Sequence, residues 1–115
     1  MTIATDFPEP EYRQKIQQTY DALERALSQV DPDVAECEQA SGVLTITLAD
    51  RSRCILSGQP AVRQLWVAIA ALGTAYHFNF DRSTGRWMDD KGKGIELMSY
   101  LKRYLKDKTG QELSI

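Results

Sequence analysis

Between about residue 34 and residue 89 apolar and polar side chains alternate with a period of two, and on both sides of that stretch the apolar spacing lengthens to three and four residues. A period of two places successive side chains on opposite faces of a strand, whereas a period near 3.6 places them along one stripe of a helix. The chain must therefore run helix, strands, helix. Tyr12, Ile16, Tyr20, Leu23, Leu27 and Val30 mark the first stripe, a helix of about five turns. Pro8 and Pro10 sit at its start, where a missing N–H costs little, and Asp31-Pro32-Asp33 stops it, because a residue before proline is steered away from helical geometry.

The alternation predicts strands over 34–39, 43–48, 53–56, 64–70, 76–80 and 86–89, with turns at Ala40-Ser41-Gly42, Asp50-Arg51-Ser52 and 81–85. Leu44, Ile46 and Leu48 share one face, as do Leu65, Val67 and Ile69, and Tyr76, Phe78 and Phe80. Gly92-Lys93-Gly94 breaks the pattern as a hinge or helix entry. Leu97, Met98, Leu101, Tyr104 and Leu105 then predict a helix to about Lys108, ended by Gly110, with Leu113 and Ile115 in a tail that packs back. About six strands with short connections, flanked by helices, argue for an α+β fold in which an antiparallel sheet carries both helices on one face and leaves the other to solvent. The 115 residues make one domain, 1–115, able to bury roughly two-thirds of the unfolded surface.

Charge is divided unevenly. Through Asp50 there are 10 acids against three bases, a balance of −7, and from Arg51 onward 6 acids against 11 bases, a balance of +5. A helix laid beside the first strand would gather the negative half into one patch that concentrates cations or a basic partner.

Several function classes fit poorly. No glycine-rich phosphate loop or zinc spacing is present, and His77 is the only histidine available as a general base, so hydrolase chemistry has little to work with. Bases in the second half are interleaved with acids rather than set on one face with stacking aromatics, which argues against nucleic acid. The longest apolar run, 65–72, is too short for a bilayer, and the first residues lack the basic and apolar regions of a signal peptide. The chain reads as cytoplasmic, as would a mitochondrial protein after processing. Cys37 and Cys54 match no metal spacing and read as buried free thiols.

Two features remain. The first is the acidic group Asp21, Glu24, Asp31, Asp33, Glu36 and Glu38. Asp21 and Glu24 lie one turn apart off the apolar stripe, and Glu36 and Glu38 share a strand face. Carboxylates are hard oxygen ligands, and without histidine or cysteine beside them they make weak, exchangeable, solvent-exposed metal sites; the plainer alternative is a solvated face without a ligand. The second is Trp66. If Leu65, Val67 and Ile69 face the helices, the indole stands on the open face with Gln64 and with His77 and Asn79 of the next strand, a candidate contact for a protein partner. Trp87 reads as core or half-covered.

Val43-Leu44-Thr45-Ile46-Thr47, Gln59 with Gln64-Leu65-Trp66-Val67-Ala68, Tyr76-His77-Phe78 and Trp87-Met88-Asp89-Asp90, in that order and spacing, resemble the frataxin family in its bacterial iron-donor type. The resemblance implies a two-layer α/β sandwich and a non-enzymatic role in iron-sulfur cluster assembly. It further implies weak, exchangeable Fe²⁺ or Fe³⁺ on the acidic ridge, no organic cofactor, docking on a cysteine desulfurase and a scaffold protein, and a monomer that oligomerises with iron. On this sequence the ridge falls on Asp21, Glu24, Asp31, Asp33, Glu36 and Glu38, and the partner face on Gln59, Gln64 and Trp66, to which strand parity adds His77. Ser28, Gln29, Pro32 and Val34 stand where acids are common in the family, so the ridge is thin. A ferroxidase activity belongs to some members, yet this chain shows no diiron set of carboxylates and histidine on facing helices. The rival reading is an acidic interaction module that binds a basic partner without metal.

Overall fold

The computed structural model describes residues 7–115; the segment read above for a targeting signal, residues 1–6, lies outside them. Helix α1 spans Glu9–Leu27, with Pro8 at its N-cap and Tyr12, Ile16, Tyr20, Leu23, Ala26 and Leu27 buried. Strands β1 (Ala35–Ala40), β2 (Val43–Leu48), β3 (Arg53–Gln59), β4 (Gln64–Ile69), β5 (Thr74–Asp81) and β6 (Arg86–Asp89) follow, and helix α2 spans Leu97–Thr109. The strands form one antiparallel meander in chain order. No helix among the described residues is long and apolar enough to cross a membrane.

Local chemistry explains the connections. Ser41 and Gly42 both adopt positive φ, 53° and 80°, as a two-residue hairpin whose twist matches its strands requires. Two 3₁₀ turns, Pro60–Val62 and Ala70–Leu72, join β3 to β4 and β4 to β5. The second truncates the strand read over 64–70, because the run of small residues there ends at Gly73, with φ 60°. The Glu96 side chain accepts from the Met98 and Ser99 amides and caps α2, and Gly110 at φ 74° ends it.

One core lies between the helices and the inner sheet face. Leu44, Ile46, Leu56, Leu65, Ile69 and Phe78 from the sheet meet Leu23, Leu97, Leu101 and Leu105 from the helices, each fully buried. Leu113 is buried and Ile115 packs against the same cluster, so the tail folds back as its composition predicts. Trp87 is buried, and its Nε1 donates to Thr19 Oγ1 at 3.1 Å, tying β6 to α1. α1 also reaches the sheet through two phenols: Tyr12 Oη donates to the Gln64 carbonyl at 2.6 Å, and Tyr20 Oη lies 2.9 Å from the Gly42 carbonyl and 3.1 Å from that of Leu56.

The thiols need one correction. Cys54 is fully buried, and burial pushes its thiol up to about 12. Cys37 is only half-buried, since β1 is an edge strand with neighbours on one side. Burial, with the Glu24 charge, pushes the Cys37 thiol up to about 11.

Candidate functional site

Strand parity and ladder register place two sites. Ala35, Cys37 and Gln39 of β1 turn toward α1, which leaves Glu36 and Glu38 on the open face at the sheet's edge. Asp21 and Glu24 project from the exposed side of α1, and Asp31 and Asp33 stand in the turn between α1 and β1. All six carboxylates are exposed, and among the described residues none makes a salt bridge. Their charge is therefore not neutralised by the basic half of the chain, whose lysines Lys102 and Lys106 pair with Glu112 and Lys108 with Asp50.

Glu24 and Glu36 face each other across a shallow groove of about 220 Å³ that also includes Cys37, Leu27, Val30 and Ala35. Asp21 is engaged by Gln17, whose Nε2 donates to its Oδ1 at 2.8 Å, and Asp31 Oδ1 accepts the Asp33 amide at 2.9 Å to close the turn. Among the described residues no three histidine, cysteine, aspartate or glutamate side chains converge as a metal site. What results is a strip of uncompensated charge, suited to diffuse cation attraction or to a basic surface rather than to a coordination cage.

The second site is built on the outer faces of β3, β4 and β5. Ser57, Trp66 and His77 are cross-strand neighbours in one row, and Gln59, Gln64, Asn79 and Met88 form the next. The Trp66 indole and His77 imidazole stack with centroids 4.1 Å apart and planes 12° from parallel. Trp66 is consequently half-buried rather than fully open. Its Nε1 donates to Gln64 Oε1 at 2.9 Å, while Gln64 Nε2 donates to Asn79 Oδ1 at 3.1 Å and Asp90 Oδ2 at 3.3 Å. Asp90 Oδ2 lies 3.6 Å from His77 Nδ1. Gln59, Gln64, Trp66 and His77 thus meet on one face as predicted.

Asp90 was missed by the sequence reading. It follows the last strand residue, and its amide donates to the His77 carbonyl at 2.8 Å, extending the ladder by one position and turning its carboxylate toward His77. The neighbouring Asp89 holds the Gly92-Lys93-Gly94 loop: its carboxylate accepts the Lys91, Lys93 and Ile95 amides at 3.2, 3.0 and 2.8 Å. Those amides, that of Lys93 foremost, hold its carboxyl below the usual range. The loop is a fixed entry to α2 rather than a hinge.

A sequence model of the frataxin-like domain matches residues 5–111. The chain belongs to the frataxin family. It is 32% identical over 105 residues to a protein of Tolumonas auensis named iron-sulfur cluster assembly protein CyaY, spanning 91% of this chain and 95% of that one. A protein of the same name from Pseudomonas fluorescens is 33% identical over 104 residues, 90% of this chain and 91% of its own. Among solved structures, a frataxin from Psychromonas ingrahamii superposes with a TM-score of 0.79 at 21% identity, covering 91% of this chain and 94% of its own. A trimeric frataxin from Saccharomyces cerevisiae complexed with ferrous superposes with a TM-score of 0.71 at 21% identity over 84% of this chain and 87% of its own. These two establish a shared frataxin fold, two helices on a six-stranded antiparallel sheet.

Proposed function

We propose that this frataxin is a non-enzymatic protein of iron-sulfur cluster assembly that carries weakly held Fe²⁺ on its acidic edge and docks on a cysteine desulfurase and scaffold protein, donating iron or regulating sulfur transfer. The observation that carries the reading is the strip of six exposed carboxylates left without cationic partners among the described residues. Clustered like charge costs stability, and such a strip is relieved when cations or a basic surface cover it. The relatives' name and the ferrous complex of the yeast protein support the same assignment, and the yeast trimer supports self-association. Trp66, with Gln59, Gln64 and His77, supplies the second contact, a flat aromatic platform of the kind that anchors protein interfaces.

Anaerobic titration with Fe²⁺, followed by backbone amide signals, tests the metal. Broadening centred on Asp31, Asp33, Glu36 and Glu38 is expected; changes elsewhere with these silent would refute the edge as the iron site. One observation favours a second reading, docking without metal, because among the described residues no three ligand groups converge. Charge reversal at Glu36 and Glu38 in metal-free buffer separates the two: desulfurase binding lost while iron binding persists supports the metal-independent interface.

A further inference from the structure

We propose that β1 is a receiving edge for an extended segment of alternating basic and apolar residues, which adds to the six-stranded sheet as a further strand. The inference rests on the reading of the acidic edge as the docking site of a basic partner and supplies the mode of docking.

The two edges of the sheet are not alike. Beyond β6 the chain doubles back: the Asp89 amide donates to the Ile95 carbonyl at 3.0 Å and Met88 pairs with Glu96, so that edge is already occupied. β1 has a neighbour only in β2. Ser41 and Gly42 close a two-residue hairpin, so Ala40 and Val43 exchange hydrogen bonds and, at every second position, so do Glu38 with Thr45 and Glu36 with Thr47. The peptide groups of Cys37 and Gln39 consequently point away from β2, and among the described residues no backbone group pairs with them. The Ala35 amide differs, because it donates to the Asp31 carbonyl at 3.1 Å.

An unpaired edge is ordinarily blunted by lysine, proline or a bulge. β1 has no lysine or proline, and its register with β2 is unbroken from Ala35 to Ala40. It carries Glu36 and Glu38 on the open face instead, and the flank of α1 beside it carries Asp21 and Glu24, all four exposed. Like charges directly opposite destabilise a strand pair and opposite charges stabilise it. A second copy of β1 is therefore repelled, whereas a strand with lysine or arginine opposite Glu36 and Glu38 is favoured. The intervening side chains of that strand turn to the helix side, toward the groove of about 220 Å³ where Leu27, Val30, Ala35 and Cys37 lie with Glu24. Main-chain pairing supplies affinity in such strand addition, and the alternate side chains supply specificity.

The test titrates the full chain, in metal-free buffer, with an end-blocked hexapeptide of alternating lysine and valine, read by backbone amide NMR and hydrogen exchange. At saturation, exchange of the Cys37 and Gln39 amides should slow about tenfold or more, while the amides of Glu36 and Glu38, already in the ladder, change little. Two N-methylated versions keep the charge and the side chains. Methylated valine nitrogens block antiparallel pairing and methylated lysine nitrogens block parallel pairing, so one version should bind about tenfold more weakly and the other within about twofold of the parent. Glu36→Gln with Glu38→Gln should weaken the parent peptide several-fold. Equal binding by the two methylated versions, or unslowed exchange at Cys37 and Gln39, overturns strand addition; shifts at Glu36 and Glu38 that persist in that case and fade with salt leave the electrostatic reading of the edge standing. No shift with any of the three peptides refutes both.

Discussion

Gly58 lies on the inner face of β3, and a Cβ there would sit 3.0 Å from the Tyr12 hydroxyl. That hydroxyl is not free to retreat, because it donates to the Gln64 carbonyl at 2.6 Å while its ring is wedged between Phe7 and Trp87 at centroid distances of 5.7 and 6.2 Å. Gly58→Ala therefore crowds a fixed group. Overpacking costs about 1–2 kcal/mol and the loosened hydrogen bond about 1 kcal/mol, against a gain of about 0.5–1 kcal/mol from replacing a strand glycine, for a net loss near 2 kcal/mol. At about 2.1 cal/mol/K per residue, the 115-residue chain loses about 4 °C of Tm per kcal/mol, so Gly58→Ala should melt about 8 °C lower. Tyr12→Phe removes the hydrogen bond alone and should cost about 1–1.5 kcal/mol, or about 5 °C. In the double variant the clash is gone, since the nearest remaining ring atom is Tyr12 Cζ at 3.9 Å. It should melt no lower than Tyr12→Phe alone, whereas independent effects would sum to about 13 °C. Thermal unfolding followed by far-UV circular dichroism in metal-free buffer measures all four proteins. A double variant that loses the full sum would refute the claim that the hydroxyl is what Gly58 accommodates.

Three further outcomes follow from the same geometry. Trp66→Ala, which removes a half-buried open-face ring, should weaken scaffold binding about tenfold or more while leaving cooperative unfolding intact; calorimetric titration beside a thermal melt separates the two effects. Because Cys37 is pushed up to about 11 and Cys54 to about 12, alkylation at pH 8 should proceed at Cys37 about a hundredfold slower than at a free thiol and at Cys54 slower still, as read by mass spectrometry of timed samples. Asp89 has its carboxyl lowered by three backbone amides, so its contribution is present above the ordinary carboxylate range and is lost as pH falls through its folded value. Asp89→Ala should flatten the acid limb of the stability curve and speed hydrogen exchange at Lys91, Lys93 and Ile95.

How much of this was readable from the chain depended on whether the deciding interaction was local. β2 and β6 run Val43–Leu48 and Arg86–Asp89, the spans predicted, because alternation and turn chemistry define both ends. β3 and β5 run longer than predicted: Ser57-Gly58-Gln59 and Thr74-Ala75 carry no apolar alternation, yet their backbones continue the ladder against β4. The Trp66 face was legible from parity alone, since Leu65, Val67 and Ile69 are buried and the residues between them must point away. Asp90 was not, because it lies one residue beyond the predicted strand and acquires its role only when its amide extends the pairing to His77.

The acidic edge marks the limit of composition as a guide to chemistry. Counting carboxylates locates the charge but not how each group is held: Glu24 and Glu36 line one groove, Asp21 accepts from Gln17, Asp31 accepts the Asp33 amide, and among the described residues no three of them converge as a metal site. Since potential sums over distances comparable to the Debye length, about 8–10 Å at ordinary ionic strength, the strip still acts as one field on a cation or a basic surface, although it cannot close around an ion. If the edge takes the desulfurase as proposed, raising salt should weaken that docking, while stacking and hydrogen bonding at Trp66 are far less affected. Binding measured between low and high ionic strength would assign each partner to its surface. A desulfurase complex indifferent to salt would place that partner on the Trp66 platform instead.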